Sequence, residues 1–236
     1  MGVSVLSPNR HSSFSNVSEM VQFLERIGAE TGVPVGIKSA VGEKAFWREL
    51  AETMASTGKG PDFITVDGGE GGTGAAPLPF SDHVALPFRH GFAEVYRAFA
   101  EHGLHERVVF LGAGKLGLPT EAMLAMAMGV DGIGVAREAM LAIGCVQAQK
   151  CHDGHCPTGV ATQNRWLTRG LEPTDKSVRM ANYVAELRHE LIRLSNAMGV
   201  DHPSLVHPSQ VELQVDSDHT SPVRDVFGYD PTWFTD

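Results

Sequence analysis

The sequence predicts an α/β fold in which parallel strands alternate with helices. Short β-branched and aromatic runs, such as residues 63–66 and 108–111, are typical of buried strands. Between them, apolar residues recur at helical spacing, as at Phe92, Val95 and Phe99. Short connections join the two kinds of segment, and this alternation favours parallel strands linked by helical crossovers.

The elements follow one another in a regular order. From the N-terminus, the predicted series is helix 17–27, strand 34–38, helix 46–54, strand 63–66, helix 92–99, strand 108–111, helix 119–128, strand 132–135 and helix 180–194. Val17, Met20 and Leu24 have the spacing of one helical face, and Gly28 follows them. The first strand is a short apolar run that ends in a charge at Lys38.

Glycine and proline mark the limits of the next elements. Phe46, Leu50 and Met54 form the apolar stripe of the second helix, which stops at the Gly/Pro-containing segment 57–61. The strand after this helix leads into a loop dominated by glycine, residues 67–81.

The later elements have similar boundaries. The third strand runs straight into Gly112. Pro119 and Thr120 open the fourth helix, because proline suits a first helical position. The fourth strand leads to Arg137. The long last helix has apolar residues at alternating spacings of four and three, namely Met180, Val184, Leu187, Leu191 and Leu194.

Composition excludes several classes of protein. The chain has 236 residues and a formal net charge of −9, which argues against nonspecific binding to nucleic acid or to an anionic membrane. No apolar run approaches the roughly 20 residues of a membrane-spanning helix, and residues 1–15 lack the pattern of a signal peptide. We therefore expect a cytoplasmic protein, with one domain at residues 1–203 and an irregular, polar tail at residues 204–236.

The strand ends are unusually rich in glycine. In an α/β fold, functional groups gather where the strands end. Here the ends are Lys38 and residues 67–74, 112–115 and 136–137. Glycines there let backbone N–H groups approach an anion, and two such ends late in the chain suit the phosphate site of a β/α barrel. The alternative is that these glycines only form tight turns.

Charged side chains at the strand ends also allow two interpretations. A lysine at the end of a buried strand needs an anionic partner. Lys38 is therefore a candidate to contact a flavin ring edge or an anionic substrate, or else to form a salt bridge with Glu43 or Glu70. Asp67 and Glu70 are candidate acid or base groups, although a glycine-rich loop favours structural hydrogen bonding for each.

The sharpest local signal is a group of three cysteines. Cys145, Cys151 and Cys156 lie within twelve residues, and the chain has no other cysteine. This compactness is typical of an iron–sulfur loop, and three thiolates most simply hold a cluster of three irons. His152 and His155 leave a zinc site open. Three buried, unreactive thiols are the remaining alternative.

Glycine-rich strand ends followed by a three-cysteine loop are a rare conjunction. The chain resembles the FMN-binding domain of glutamate synthase, and more closely the stand-alone FMN-binding glutamate synthase family proteins of bacteria and archaea. The resemblance spans nearly the whole chain up to about Pro203. The segments that carry it are residues 7–11 (Ser-Pro-Asn-Arg-His), 31–38, 62–77 with the Gly-Gly-Thr-Gly loop, 114–115, 136–137, 142–145 through Cys151, and 156–163.

The resemblance implies an FMN-containing β/α barrel in which electrons pass through a [3Fe-4S] cluster to the flavin. The reduced flavin then delivers hydride to 2-iminoglutarate, formed from 2-oxoglutarate and ammonia, to give L-glutamate. The cofactor carries the redox chemistry, and the protein supplies position and charge. Ammonia is free or glutamine-derived through a glutaminase subunit, and ferredoxin or an NAD(P)H-linked subunit donates the electrons.

The resemblance also implies a set of site residues. The catalytic candidates are Lys38 and Glu70. The flavin-binding candidates are Lys38, Gly71, Gly72, Thr73, Gly112, Gly114, Lys115, Gly134, Ala136 and Arg137. The cluster ligands are Cys145, Cys151 and Cys156. A helix from Arg137 to Cys145 is expected to connect the phosphate cradle with the cluster loop.

The chain departs from the family pattern in several places. Glu70 stands where aspartate or another small polar residue is common, and Ala113 stands where serine or aspartate is common. No cysteine nucleophile follows Met1, so a glutaminase requires another polypeptide. Only six residues precede Ser7, so we expect the first strands of the barrel to be absent.

The predicted fold is therefore the C-terminal half of a (β/α)8 TIM barrel. It comprises about four parallel βα units, the iron–sulfur loop at residues 145–156 and a C-terminal helix. Its first strand is expected to expose an edge and apolar surface. Two alternatives to an enzyme remain: a non-catalytic fragment or subunit that completes a barrel with a partner chain, and a zinc-stabilised binding module.

Overall fold

The computed structural model describes residues 10–71 and 83–234 of the chain. In order, its elements are α1 (Val17–Thr31), β1 (Gly36–Ala40), α2 (Lys44–Thr57), β2 (Phe63–Asp67), a 3-10 turn (Gly69–Gly71), α3 (Phe88–Ala100), β3 (Val109–Ala113), α4 (Pro119–Ala127), β4 (Gly132–Gly134), α5 (Arg137–Ala142), α6 (Pro173–Ala197), β5 (Glu212–Gln214), β6 (Thr220–Pro222) and α7 (Val223–Phe227), with further 3-10 turns at Leu167–Gly170, Pro203–Leu205 and Pro231–Trp233. The predicted α/β alternation is confirmed.

Four strands form one parallel sheet in the order β1-β2-β3-β4. Their register aligns the C-terminal ends, with Ala40 beside Asp67, Asp67 beside Ala113 and Ala113 beside Gly134. Crossovers between parallel strands are right-handed almost without exception. A strand order that follows the chain therefore places the crossover helices on one face. This winding differs from that of a doubly wound sheet and is compatible with part of a TIM barrel.

The two faces of the sheet differ in burial. Ile64, Val66 and Phe110 are fully buried against the helices. Thr65 and Leu111, on the opposite face, are only half-buried. Parallel sheets generally have both faces covered. Here, by contrast, the second face is open in the part of the chain that the structure describes, because its side chains are only half-buried. There, β1 and β4 are the edge strands, as predicted for the first strand.

Aromatic side chains fill the core between the sheet and its helices. Phe110 of β3 meets Phe92 and Phe99 of α3 edge-on, with ring centroids 6.0 and 5.6 Å apart, and Trp47 of α2 is buried in the same cluster. Such edge-to-face contacts are a preferred aromatic geometry. No helix among residues 10–71 and 83–234 has both the length and the apolar character needed to cross a membrane.

Helix ends follow from local sequence. Asn16 caps α1 by accepting a hydrogen bond from the N–H of Glu19 at 2.8 Å, which satisfies one of the unpaired donors of the first turn. At the other end, Gly32 adopts a left-handed conformation with φ of 69°, the geometry that glycine supplies at a helix C-terminus.

The segment after residue 203 differs from the predicted irregular tail. It contains the β5–β6 hairpin and α7. Val223 is fully buried and joins the main core together with Phe227 and Tyr229, and the Tyr229 ring lies 5.2 Å from that of Tyr96. Composition missed this order because a few widely spaced apolar residues carry the packing. The boundary at residue 203 itself stays a prediction.

Two details of the predicted elements need correction. The first strand continues past Lys38 to Ala40, so Lys38 lies within β1 and not at its end. In α6, Val184 was placed in the buried stripe, but it is 54% exposed, whereas Tyr183 is half-buried. With 3.6 residues per turn, a shift of one residue moves a side chain by about 100° around the helix.

Candidate functional site

A cleft of about 430 Å³ opens where the strands end. Its lining includes Glu70 after β2, Gly114 and Lys115 after β3, and Glu138 in α5, with Phe88 of α3 behind them. The volume lies within the roughly 300–1,000 Å³ range of small-molecule sites. The structure thus brings together residues that the sequence assigned to two separate strand ends.

Lys38 pairs with Asp67 across two neighbouring strands. Its Nζ lies 2.9 Å from Asp67 Oδ2, and the two side chains are 60% and 30% exposed. The sequence named Glu43 or Glu70 as the salt-bridge partner, and the structure places Asp67 in that position. Because the pair is largely solvated, it contributes at most about 1 kcal/mol to stability. The lysine therefore remains accessible on the open face of the sheet.

Glu70 holds the N-terminus of α3. Its two carboxylate oxygens accept hydrogen bonds from the N–H of Phe88, at 2.9 and 2.8 Å. Pro87, the residue before the helix, has no side chain that can cap it. The contact matches the structural alternative for Glu70, and acid–base catalysis by this residue stays a prediction.

Two of the predicted phosphate-binding glycines are required by packing. A Cβ on Gly112 would lie 2.8 Å from Cζ of Phe88 and 3.0 Å from Cδ1 of Leu116. Gly114 has φ of 143°, and a Cβ there would lie 3.2 Å from Cα of Gly68. Both distances are shorter than normal carbon contacts of 3.5–4.0 Å. Close packing therefore requires glycine within β3 at Gly112 and just after it at Gly114, and a role for their backbone in binding a phosphate stays a prediction.

The end of β4 is different, because Gly134 is exposed there. A Cβ on Gly134 would meet Ala113 Cβ at an ordinary 3.6 Å. Since Ala113 and Gly134 are in register, the loop carrying Lys115 lies next to the turn that leads through Ala136 to Arg137. Neither α4 nor α5 receives a side-chain cap at its first residue.

The remaining flavin candidates lie in or beyond the glycine-rich loop. Gly71 is the last residue of the 3-10 turn after β2. Gly72 and Thr73 fall outside the described residues, so their predicted contact with a flavin stays a prediction.

The cysteine loop follows the strand-end region directly. Helix α5 runs from Arg137 to Ala142, in place of the predicted helix from Arg137 to Cys145. The N–H of Cys145 then bonds to the carbonyl of Met140 at 2.9 Å, which anchors the start of the loop to α5.

The three thiols share one electrostatic environment. Burial raises the pKa of Cys151, and the neighbouring sulfurs of Cys156 and Cys145 raise it further. Burial also acts to raise the pKa of Cys156, but hydrogen bonds from the Thr158 hydroxyl and from nearby backbone N–H groups lower it to about 7. The Cys156 sulfur lies 3.5 Å from Thr158 Oγ1. The surroundings of this thiol therefore favour its thiolate form, which is the form in which a cysteine binds a metal.

The described side chains show no ready-made site for a single metal ion. Among residues 10–71 and 83–234, no three His, Cys, Asp or Glu side chains are arranged to hold one metal ion. The His155 side chain is 74% exposed and lies 3.3 Å from Asp153, and His152 is also exposed. The described groups therefore give no support to the zinc alternative.

Sequence reasoning missed two residues that shape the site. Phe88 packs against Gly112 and begins the helix that Glu70 caps, and only tertiary contacts reveal this. Tyr183 reaches the loop after β3, with its hydroxyl donating to the carbonyl of Gly117 at 2.7 Å. Its position three residues after Met180 was a usable signal.

The fold and site define a class of protein. It is a sequentially wound β/α sheet with a ligand-sized cleft at its C-terminal strand ends, and a three-cysteine loop follows the last strand and a short helix. Residues 1–201 match the family described as a conserved region in glutamate synthase. The chain belongs to the glutamate synthase family.

Individual relatives show the same relationship. The chain is 40% identical over 202 residues to the glutamate synthase large subunit-like protein YerD of Bacillus subtilis (strain 168), covering 86% of this chain and 38% of the relative. It is 32% identical over 203 residues to an archaeal-type glutamate synthase (NADPH) of Thermotoga neapolitana, covering 85% and 39%. It is also 32% identical over 197 residues to a ferredoxin-dependent glutamate synthase of Antithamnion sp., covering 81% and 12%. The chain thus spans about two fifths of the first two relatives.

Proposed function

We propose that this chain forms part of an FMN- and [3Fe-4S]-dependent oxidoreductase of the glutamate synthase type. The proposed reaction is the reduction of 2-iminoglutarate, formed from 2-oxoglutarate and ammonia, to L-glutamate. The observation that carries the proposal is the short connection between the two candidate cofactor sites. Helix α5, six residues long, joins the end of β4 to the segment that holds Cys145. Membership of the glutamate synthase family supports the reaction class.

The flavin phosphate is assigned to the ends of β3 and β4. Lys115 and Arg137 supply positive charge there, and the exposed Gly134 allows close approach to the backbone. The positive ends of helix dipoles favour an anion, and both α4 and α5 begin beside these strand ends. Lys38, on the open face of the sheet, is assigned to the flavin ring edge or to a carboxylate of 2-oxoglutarate.

When bound, FMN supplies hydride transfer and a [3Fe-4S] cluster supplies one-electron transfer. The residues of this chain supply position and charge around them. Thr158 and the backbone N–H groups near it stabilise negative charge on the Cys156 sulfur. Hydrogen bonds to a ligating sulfur of this kind tune a cluster's reduction potential. The ion pair of Lys38 and Asp67 keeps an ammonium group oriented on the open face.

Electrons and ammonia come from partners in this proposal. Two relatives are named for NADPH and for ferredoxin, so either a ferredoxin or an NAD(P)H-linked subunit is the proposed donor. Ammonia is free or comes from glutamine through a separate glutaminase subunit. The proposed location is the cytoplasm.

The first test is the cofactor content of the complete protein, purified without oxygen. We expect bound FMN and about three irons per chain, with the acid-labile sulfide of a [3Fe-4S] cluster. We also expect glutamate formation from 2-oxoglutarate and ammonia with a reduced donor. Protein without flavin and iron would overturn the proposal.

A pair of variants in the cysteine loop separates a cluster from zinc. Cys156→Ser should lose the iron, whereas His152→Ala, at an exposed neighbour, should keep it. Zinc at one equivalent without sulfide, lost in His152→Ala, would instead support the binding module.

A second candidate function is that of a subunit that completes a barrel with a partner chain. The open second face and the two sheet edges in the described residues favour it. Co-purification with a second polypeptide that is needed for flavin binding would support this function. A flavin-loaded protein that contains this chain alone would contradict it.

A further inference from the structure

Tyr183 connects α6 to the loop between β3 and α4. Its hydroxyl donates a hydrogen bond to the carbonyl of Gly117 at 2.7 Å, across 66 positions of sequence. The site is tightly filled, because a Cβ on Gly117 would lie 2.6 Å from the Tyr183 oxygen and 2.6 Å from Glu138. One side chain of α6 thus bonds to the loop after β3, at a point that Glu138 of α5 also approaches closely.

The loop between β3 and α4 needs such anchors. Gly114 has φ of 143°, which glycine adopts readily, whereas Lys115 has φ of 55°, a conformation that a residue with a side chain holds mainly when its surroundings impose it. The start of the loop is fixed by the bond from the N–H of Gly68 to the carbonyl of Ala113 at 2.7 Å. Tyr183 fixes the other end.

The hydroxyl of Tyr183 is suited to this role at neutral pH. Burial raises its pKa above the usual value near 10, and the carboxylate of Glu138 raises it further. The group therefore stays protonated and can keep donating. Because a trans peptide is planar, holding the Gly117 carbonyl toward Tyr183 turns the N–H of Leu118 in the opposite direction.

We propose that Tyr183 is a positioning residue for the phosphate of FMN. It holds the β3–α4 loop in the conformation in which the backbone from Gly114 to Leu118 binds that phosphate. This role rests on the proposed flavin site. The hydrogen bond of Tyr183 also puts α6, the helix after the cysteine loop, in direct contact with the β3–α4 loop.

The test compares FMN with riboflavin, which lacks the phosphate, in flavin-fluorescence titrations of the flavin-free complete protein. Tyr183→Phe should raise the Kd for FMN about tenfold, or ~1.4 kcal/mol, and change the Kd for riboflavin less than twofold. A merely structural role would weaken both ligands equally. The preference for FMN over riboflavin is therefore the decisive readout.

Tyr229→Phe is the matched control. The Tyr229 hydroxyl is buried and has no hydrogen-bond partner among the described residues, so its removal should leave both Kd values unchanged. If Tyr183→Phe keeps the wild-type preference for FMN, or loses affinity for both flavins alike, the positioning role is wrong. If the wild-type protein binds neither flavin, the proposed function itself fails.

Discussion

Gly112 and Gly134 were both assigned to a phosphate cradle, yet the structure predicts opposite results when each is changed to alanine. Gly112 lies on the helix-facing side of β3, where its Cβ would enter space occupied by Phe88 and Leu116. Gly134 is the exposed last residue of the edge strand β4, and its Cβ would make two ordinary contacts, at 3.6 Å with Ala113 Cβ and at 3.7 Å with the carbonyl oxygen of Gly112. The pair therefore separates a glycine needed for packing from one available to a ligand.

The magnitude for Gly112→Ala follows from three short contacts. The new Cβ would lie 2.8 and 3.0 Å from two ring carbons of Phe88 and 3.0 Å from Cδ1 of Leu116. Both neighbours are buried, with 2% and 4% exposure, so they have little room to move. Overpacking of this kind costs about 1–3 kcal/mol. The lower entropy of an unfolded chain with alanine offsets roughly 0.4–1 kcal/mol of that.

The assays are thermal unfolding and FMN titration on the same two variants. The middle of the overpacking and entropy ranges leaves a net cost of about 1.3 kcal/mol, so Gly112→Ala should lower Tm by about 3–5 °C, at about 2–4 °C per kcal/mol for a domain of this size. Gly134→Ala should keep the wild-type Tm and lose at least tenfold in FMN affinity, because a methyl group would stand where the phosphate approaches the backbone. Adding Phe88→Leu to the Gly112→Ala variant should recover part of the stability that Gly112→Ala alone loses.

Two results would refute this reasoning. A wild-type Tm for Gly112→Ala would mean that Phe88 does not pack as the structure shows. Wild-type FMN affinity for Gly134→Ala would remove Gly134 from the proposed cradle.

Three further predictions test the surroundings of the site. Glu70→Ala should lose about 0.5–2 kcal/mol of unfolding free energy in urea, since the N–H of Phe88 loses its acceptor, while Glu70→Gln should recover most of it; a stable but inactive Gln variant would instead indicate acid–base chemistry. Phe227→Ala should cost about 3–5 kcal/mol because the ring is 8% exposed in the core, and a loss below ~1 kcal/mol would contradict the packing of α7. Burial raises the pKa of Asp131, although a hydrogen bond from the N–H of Phe110 opposes this shift. The protonated carboxyl group therefore contributes stability that is complete below the unfolded pKa of about 3.9 and is lost as pH rises through the folded value. Asp131→Asn should therefore gain stability relative to wild type at about pH 7 but not at about pH 3, and equal differences at both would contradict this.

The alternation of helix and strand was predictable because each element carries its own periodicity. The stripe in α6 shows the limit of that signal. Tyr183 and Val184 are adjacent, and either side chain suits a partly buried face. The spacing of apolar residues alone therefore selected the valine. The structure resolves the choice through a hydrogen bond to Gly117, which lies far away in sequence.

The sequence predicts a site at the strand ends, but the contacts of its residues depend on tertiary structure. Lys38 and Asp67 belong to neighbouring parallel strands and lie two register positions apart on one face, a relation that follows only once strand pairing is known. Phe88 gave no sequence signal, because its importance comes from the space it occupies beside Gly112. The glycine content indicated that another group approaches the backbone closely. It did not indicate whether that group is an aromatic ring or an anion.

The open face of the sheet changes character along the strands. At the N-terminal end, Phe63 stands beside Val109, which is 48% exposed. At the C-terminal end, the row that includes Asp67, Ala113 and Gly134 is small or charged. Exposed apolar side chains at the first end suit a dry contact with another part of a barrel, whereas small and charged groups at the other end leave room for a polar ligand. This gradient gives a physical reason to place the flavin at the C-terminal end, independent of any motif.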